Sequence, residues 1–440
     1  MKQTIIIVLF LISSLVVNAG IVRMSGSLKE FKMEKVDMNY SGIAAEVYRD
    51  KTIGIEVDGD GEFRLELKLK RPAYYTVGQN VLYLSPGDEL RVNLARAVGR
   101  SSFEGRGATA NNYLKNCENL SSWTIFGMAV GVSLDSYLTK IDSLIGKRVQ
   151  RLEDVEEVSD EFRELEAIRI KALKVRLYQD YFMYGKFSKW DDKPEVKLEK
   201  KQAFYCTIKP LVEPLLKDLT ASDRYLELPE VREVLKECYT TQVFDFPQSP
   251  AFLELTQVLE RSEVLDKGLR IADYKASKEF ARKIRNKDLQ HSYLAKLQKR
   301  AELMEGRPAP DITLRDTTGK ISKLSDLKGK ILFIDVWATW CLPCLAQMPH
   351  FEELSEKYPG IQFVGISVDQ DLNRWKEKLK KDGIPPRIKE FVADPYAVEK
   401  SWDLASIPRF ILIDKDFRII TAFASRPSDK EETEALLGDN

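Results

Sequence analysis

The stretch Cys341-Leu-Pro-Cys344 stands where an apolar strand hands over to a helix, and that junction constrains the fold more than any other part of the chain. Upstream, residues 330–336 form a short apolar run that reads as a buried strand. Downstream, residues 345–357 carry helical spacing, with Leu345, Met348, Phe351 and Leu354 on or near one face. Cys341 therefore falls at a helix N-terminus, where the first peptide N–H groups lack partners and the helix dipole is positive. Both effects favour thiolate over thiol and predict a lowered pKa for Cys341. Cys344 lies one turn further on the same face, within reach of a disulfide. Pro343 sits in the first turn, where a missing N–H costs little.

A Cys-x-x-Cys pair can also be half of a zinc site, which needs two more ligands at matching spacing. The remaining cysteines, Cys117, Cys206 and Cys238, are solitary, and the only histidines are His291 and His350. The expectation is a redox-active disulfide, Cys341–Cys344, with no metal and no cofactor. In thiol–disulfide exchange one thiolate attacks a disulfide sulfur and a second resolves the mixed disulfide. Cys341 is expected to attack and Cys344 to resolve. Cys344 is the deeper of the two and needs a base. Asp335 is the candidate: an acid inside an otherwise apolar strand is costly without a purpose or a partner. Burial should raise its pKa toward neutrality, which suits proton transfer.

From about residue 306 to 437 the chain resembles the thioredoxin fold, and specifically the TlpA/ResA-like thiol-disulfide oxidoreductases of bacterial envelopes. The resemblance rests on Pro308-Ala-Pro-Asp-Ile-Thr-Leu314, Leu324-Ser-Asp-Leu-Lys-Gly-Lys330, Trp337-Ala-Thr-Trp-Cys-Leu-Pro-Cys344, Pro349, Gly365-Ile-Ser-Val-Asp369 and Ile407-Pro408. It implies a cis-proline at Ile407-Pro408 that presents backbone to an extended substrate, with Trp340 covering the sulfur. It also implies protein disulfides as substrates and a membrane thiol donor of the DsbD type. Asp335 matches the position of thioredoxin's buried aspartate. The cytochrome-maturation relatives instead carry an amide there and a glutamate three residues after the second cysteine, where this chain has Gln347. That departure argues against apocytochromes as the specific substrate. Arg409, beside Pro408, is a candidate source of positive potential near Cys341.

Residues 1–19 read as a signal peptide. Lys2 supplies the positive start, residues 5–17 contain only Ser13 and Ser14 as polar groups, and Val17-Asn-Ala19 resembles a cleavage site. This apolar core is shorter than the roughly 17–25 residues that span a bilayer. The expected location is the periplasm or cell envelope. Lys+Arg and Asp+Glu balance at 68 each, so no global field draws the chain to nucleic acid.

The remainder is long enough for about three domains. From 20 to 105 the pattern alternates, as in Phe63, Leu65, Leu67 and Leu69, with turn signals at Asp58-Gly-Asp-Gly61 and Ser85-Pro-Gly-Asp88. This reads as an antiparallel β-sandwich, and part of it resembles the N-terminal β-domain of Bacteroides-type TlpA-like proteins. Residues 106–304 turn helical, with Phe162, Leu165, Ile168 and Ala172 on one face and Leu289, Tyr293 and Leu297 on another. Residues 305–440 form the C-terminal α/β domain, entered through Glu305-Gly-Arg-Pro-Ala-Pro310. Trp375 and Trp402, in the segment between Asp369 and Ile407, are expected to serve packing, and the three odd cysteines to be buried.

The chain is thus expected to be an exported thiol-disulfide oxidoreductase of the protein-disulfide reductase type. A peroxiredoxin-like peroxidase is the alternative enzyme, but its reactive cysteine follows a threonine by three positions, whereas Thr339 precedes Cys341 by two. The non-enzymatic alternative is a binding module in residues 20–304 with the thioredoxin-like part serving assembly.

Overall fold

A computed structural model describes residues 20–117, 120–185, 187 and 193–438, so the expected signal peptide lies outside the described residues. The chain forms two compact units that part between Thr256 and Gln257. It is multidomain, with a β-rich region, a helical region and a C-terminal thioredoxin-like α/β region. Among the described residues, no helix is long and apolar enough to cross a membrane.

The first unit opens with eight strands: β1 (Gly20–Ser27), β2 (Lys35–Tyr40), β3 (Ile53–Glu56), β4 (Glu62–Leu69), β5 (Ala73–Val77), β6 (Asn80–Leu84), β7 (Glu89–Asn93) and β8 (Ser102–Arg106). They make two four-stranded sheets, ordered β4-β1-β7-β8 and β3-β2-β5-β6. The alternating residues of β4 pair along the whole of β1, and Phe63 and Leu69 enter a core with Val22, Met24, Met38, Val77 and Val92. The pairing is antiparallel as expected, except that β1 and β7 run parallel. Strands β2 to β6 lie between them in sequence, which supplies the long crossover a parallel pair requires. Gly26, at φ +137°, is needed at that pair, because a Cβ there would stand 1.9 Å from the Val92 carbonyl oxygen.

Six helices follow: α1 (Ala108–Lys115), α2 (Ser122–Ala129), α3 (Leu134–Asp154), α4 (Asp160–Tyr184), α5 (Pro194–Leu219) and α6 (Pro229–Thr241). They are fastened to the β-rich region by buried polar groups. The Tyr74 hydroxyl donates to Glu166 at 2.7 Å, and Arg169 bridges Glu166 and Glu230. Arg232 donates to the Ser41 carbonyl at 2.9 Å and to Glu46, while Glu227 accepts from Tyr40 and from the Ile43 amide. Breaking such a buried network strands charges, so these two regions hold together as one unit.

Helix α7 (Pro250–Asp266) runs across the division. The second unit continues with α8 (Ile271–Lys283), α9 (Lys287–Glu302), β9 (Thr313–Arg315), β10 (Ile321–Lys323), β11 (Ile331–Trp337), α10 (Leu342–Lys357), β12 (Ile361–Ser367) and α11 (Leu372–Asp382). It ends with β13 (Ile388–Val392), α12 (Pro395–Trp402), β14 (Arg409–Ile413), β15 (Ile419–Ala424) and α13 (Lys430–Gly438). The division falls inside the expected helical domain, not at 304/305, and α9 explains why. Its Arg300 is buried, pairs with Asp266 and Asp403, and lies 4.6 Å over the Phe423 ring.

The seven strands are ordered β10-β9-β13-β12-β11-β14-β15. β11 is interior, next to the middle strand β12, to which it runs parallel, and antiparallel to β14. The strand β13 and helix α12 were not expected. Trp375 and Trp402 are fully buried, as a packing role requires. Of the odd cysteines, Cys238 is buried and Cys117 half-buried, but Cys206 is exposed, because it faces out from the helix α5 that carries buried Tyr205.

Candidate functional site

Strand β11, interior to the sheet, ends at Trp337, and α10 returns over it. Cys341 is the N-cap of α10, and its Sγ accepts the Cys344 backbone N–H at 3.2 Å. An orphan amide of the first turn is thereby spent on the sulfur, as the strand-to-helix position predicted. Pro343 occupies the first turn. Cys341 and Cys344 are joined as a disulfide with Cα atoms 5.3 Å apart. Both are buried, Cys344 entirely, while their neighbours are not: Trp340 is 58% and Leu342 77% exposed. Trp340 therefore offers an exposed apolar surface one residue before buried Cys341.

Thr339, two residues before Cys341, is held by a residue that sequence reasoning did not assign a role. Asp369 accepts from the Thr339 amide at 2.8 Å and from its hydroxyl at 2.7 Å. Its carboxyl also accepts from the Ser367 hydroxyl at 2.7 Å, and it is buried. The loop that presents Cys341 is thus tied to the end of β12. The Ser-Val-Asp run closing that strand was the available signal, but its partner lies thirty residues earlier in the chain.

Asp335 is buried, and its Oδ1 has no hydrogen-bond partner among the described residues. Its side chain leaves β11 on the same face as Phe333, two residues before, and that ring packs 5.5 Å from Phe351 of α10. Two helical turns toward the start of α10, the same helix face carries Cys344. Asp335 and Cys344 thus occupy matching positions on the sheet and on the helix that covers it. Burial, and then the nearby Glu390, push the Asp335 carboxyl well above the usual range.

Glu390, on β13, is the second acid that sequence reasoning missed. In register, Asp335 faces Gly365 of β12, and Gly365 faces Glu390. A Cβ at Gly365 would lie 2.2 Å from Glu390 Oε1, so the glycine leaves the space that the carboxyl occupies. The Trp337 indole N–H donates to Glu390 Oε2 at 3.2 Å. Burial raises the Glu390 pKa to about 8, against the opposing pull of that indole. Both acids line a cavity of about 370 Å³, together with Met348, Pro349, Lys378 and Asp382 among others.

The other expected residues are placed as follows. The Ile407–Pro408 bond is cis, and half-buried Ile407 packs on the core cluster that contains Cys341 and Cys344. Gln347 is buried, with Oε1 accepting the Ser428 amide at 3.0 Å, so it fastens α10 to the terminal segment. Arg409 stacks 4.4 Å over Phe423. Burial and the neighbouring Arg300 lower its pKa to about 10.

A family profile described as Redoxin matches residues 304–437. The chain is similar to the thiol-disulfide oxidoreductase ResA of Bacillus thuringiensis, 31% identical over 140 residues that make up 30% of this chain and 76% of that protein. It is 28% identical to ResA of Bacillus subtilis, over 29% of this chain and 72% of the relative. Among solved structures, a candidate thiol-disulfide oxidoreductase from Bacteroides vulgatus is 41% identical, covering 32% of this chain and 98% of that one, at a TM-score of 0.30.

Proposed function

Because the chain belongs to the TlpA/ResA-like thiol-disulfide oxidoreductases of the thioredoxin superfamily, we propose that it is an exported reductase of protein disulfides working through Cys341 and Cys344. The observation that carries this reading is the N-cap geometry, in which the Cys344 amide donates to the Cys341 sulfur. In the reduced protein the same donor favours the Cys341 thiolate, which is the attacking species.

That thiolate attacks one sulfur of a substrate disulfide. The Cys341–substrate S–S bond forms, the substrate S–S bond breaks, and the first substrate thiolate leaves and takes a proton from water. Cys344 then gives its proton to Asp335 and attacks the Cys341 sulfur. The Cys341–Cys344 bond forms as the Cys341–substrate bond breaks, so two electrons have passed from the dithiol to the substrate. A carboxyl that burial holds well above the usual carboxylate range suits this transfer, and its buried, unpartnered oxygen supports the role.

Exposed Trp340 and the Ile407-Pro408 backbone are the proposed contacts for an extended substrate. The intervening Leu342-Pro343 contains no imidazole or cation to stabilise the thiolate further, which favours the reducing direction. A membrane thiol donor of the DsbD type would return the electrons, in the periplasm or cell envelope to which residues 1–19 direct the chain. The β-rich and helical regions then serve docking or spacing.

Insulin-disulfide reduction tests the assignment. Cys341→Ser abolishes it, and a fully active variant would remove Cys341 as the nucleophile. Asp335→Asn slows release of a trapped mixed disulfide by about 10²-fold, the lower end for general acid–base catalysis, with formation near native. Equal slowing of both steps would contradict the base role.

A further inference from the structure

We propose that Asp335 and Glu390 form a two-carboxyl relay that carries the Cys344 proton to solvent through the cavity under α10. The proposal rests on the reading of Asp335 as the base for Cys344 and adds a second, defined proton carrier to it.

A base sealed in a sheet can accept one proton and must then lose it before the next turnover. The covering helix and the apolar neighbour Phe410 leave Asp335 no exit on two sides. On the third side stands β12, and there the facing residue is Gly365. Any side chain at that position would separate the two acids. The bare Cα instead admits the Glu390 carboxyl, which overlies the glycine closely enough that a Cβ would clash at 2.2 Å. The coupling is electrostatic as well as steric, since Glu390 is the one charge that adds to burial in raising Asp335.

Glu390 is oriented by the Trp337 indole, and its ionisation near 8 lets it take and give a proton close to neutral pH. From Glu390 the cavity continues to Lys378 and Asp382 of α11, which pair with one another, and to Glu352 of α10. Asp382 is exposed, so the cavity opens to water at that end. These are the charged groups that line the path. Arg409 faces the opposite side of the sheet, over Phe423.

The proton balance is closed. Cys344 loses its proton to Asp335, water in the shared cavity carries it from Asp335 to ionised Glu390, and Glu390 releases it to solvent at the α11 end. The departing substrate thiolate takes a proton from water at the open face. The relay moves no electrons.

The test uses the full chain in its oxidised form, labelled with carboxyl-¹³C aspartate, with the Asp335 signal identified by its loss in Asp335→Asn. Two interacting acids titrate in two steps that belong to the pair. In Glu390→Gln the like charge is gone, and the Asp335 midpoint falls by about one pH unit or more. Gly365→Ala, which displaces the Glu390 carboxyl without removing it, moves the midpoint in the same direction by less. In turnover, Glu390→Gln slows mixed-disulfide release by about tenfold at pH 8 and above, the effect shrinks as pH falls below 8 because native Glu390 is then already protonated, and Glu390→Asp restores most of the rate.

A merely structural Glu390 would alter stability and leave the Asp335 titration in place. An unmoved Asp335 midpoint in both variants overturns the relay, even where Asp335→Asn still slows release. If Asp335→Asn leaves release unaffected, the base reading itself falls.

Discussion

Replacing Glu390 with Gln should stabilise the C-terminal unit, and only on the alkaline side. Carrying a carboxyl from its ordinary 4.5 to about 8 sets up to about 5 kcal/mol against its ionised form, at about 1.4 kcal/mol for each pH unit. The side chain is half-buried and borders a cavity, so relaxation and water leave about 2–3 kcal/mol of that ceiling. Between about pH 4.5 and 8 the native state holds a proton that the unfolded chain has already released. The unfolding free energy of the native protein therefore falls as pH climbs through that window. Gln cannot ionise, yet its carbonyl still accepts the Trp337 N–H, so the variant escapes the loss without forfeiting the hydrogen bond. Urea unfolding followed by tryptophan emission is a suitable assay, because fully buried Trp337, Trp375 and Trp402 all lie in this unit. Variant and native protein should be nearly equal at pH 5 and differ by about 2–3 kcal/mol at pH 9, in favour of the variant. A difference that is flat across this range, or that favours the native protein at pH 9, would refute the buried-acid reasoning.

Two further outcomes follow from the same site. Asp369→Ala strands the Thr339 amide in a buried loop at a cost of about 1–3 kcal/mol; insulin reduction should drop, and amide exchange at Thr339 should quicken, whereas unchanged exchange would remove Asp369 as the anchor of that loop. Pro343→His adds an imidazole beside the Cys341 thiolate and should raise the reduction potential above a native value that lies below about −200 mV, with about 30 mV for each 1.4 kcal/mol. Equilibration against glutathione buffers measures both, and a native value near DsbA's ~−120 mV would reverse the reductase assignment.

What could be read from the sequence was local. Cys341, Cys344 and Asp335 announced themselves because a strand, a loop and a helix follow one another without interruption, and a lone acid in an apolar run is conspicuous. The alternation of Phe63 to Leu69 and the helical face of Phe162 to Ala172 were visible for the same reason: each repeats with the period of its own element. Residues whose role is made by register were not legible. Glu390 lies in Ile388-Lys-Glu-Phe-Val392, a run too charged to resemble a buried strand, and its meaning depends on facing Gly365, which in turn faces Asp335. Asp369 gains its role only when Thr339 is brought beside it. The division at Thr256 was equally hidden, because it is fixed by which ion pairs α9 makes, through Arg300 to Asp266 and Asp403, and not by any change in composition.

The central claim is that Cys341 is the sulfur that meets the substrate and Cys344 the one that releases it. Incubating the Cys344→Ala protein with a disulfide peptide, then mapping the adduct by mass spectrometry, tests this directly. The expected result is a stable mixed disulfide on Cys341 and none when Cys341 is replaced instead. An adduct found on exposed Cys206, or equal trapping by either single variant, would contradict it.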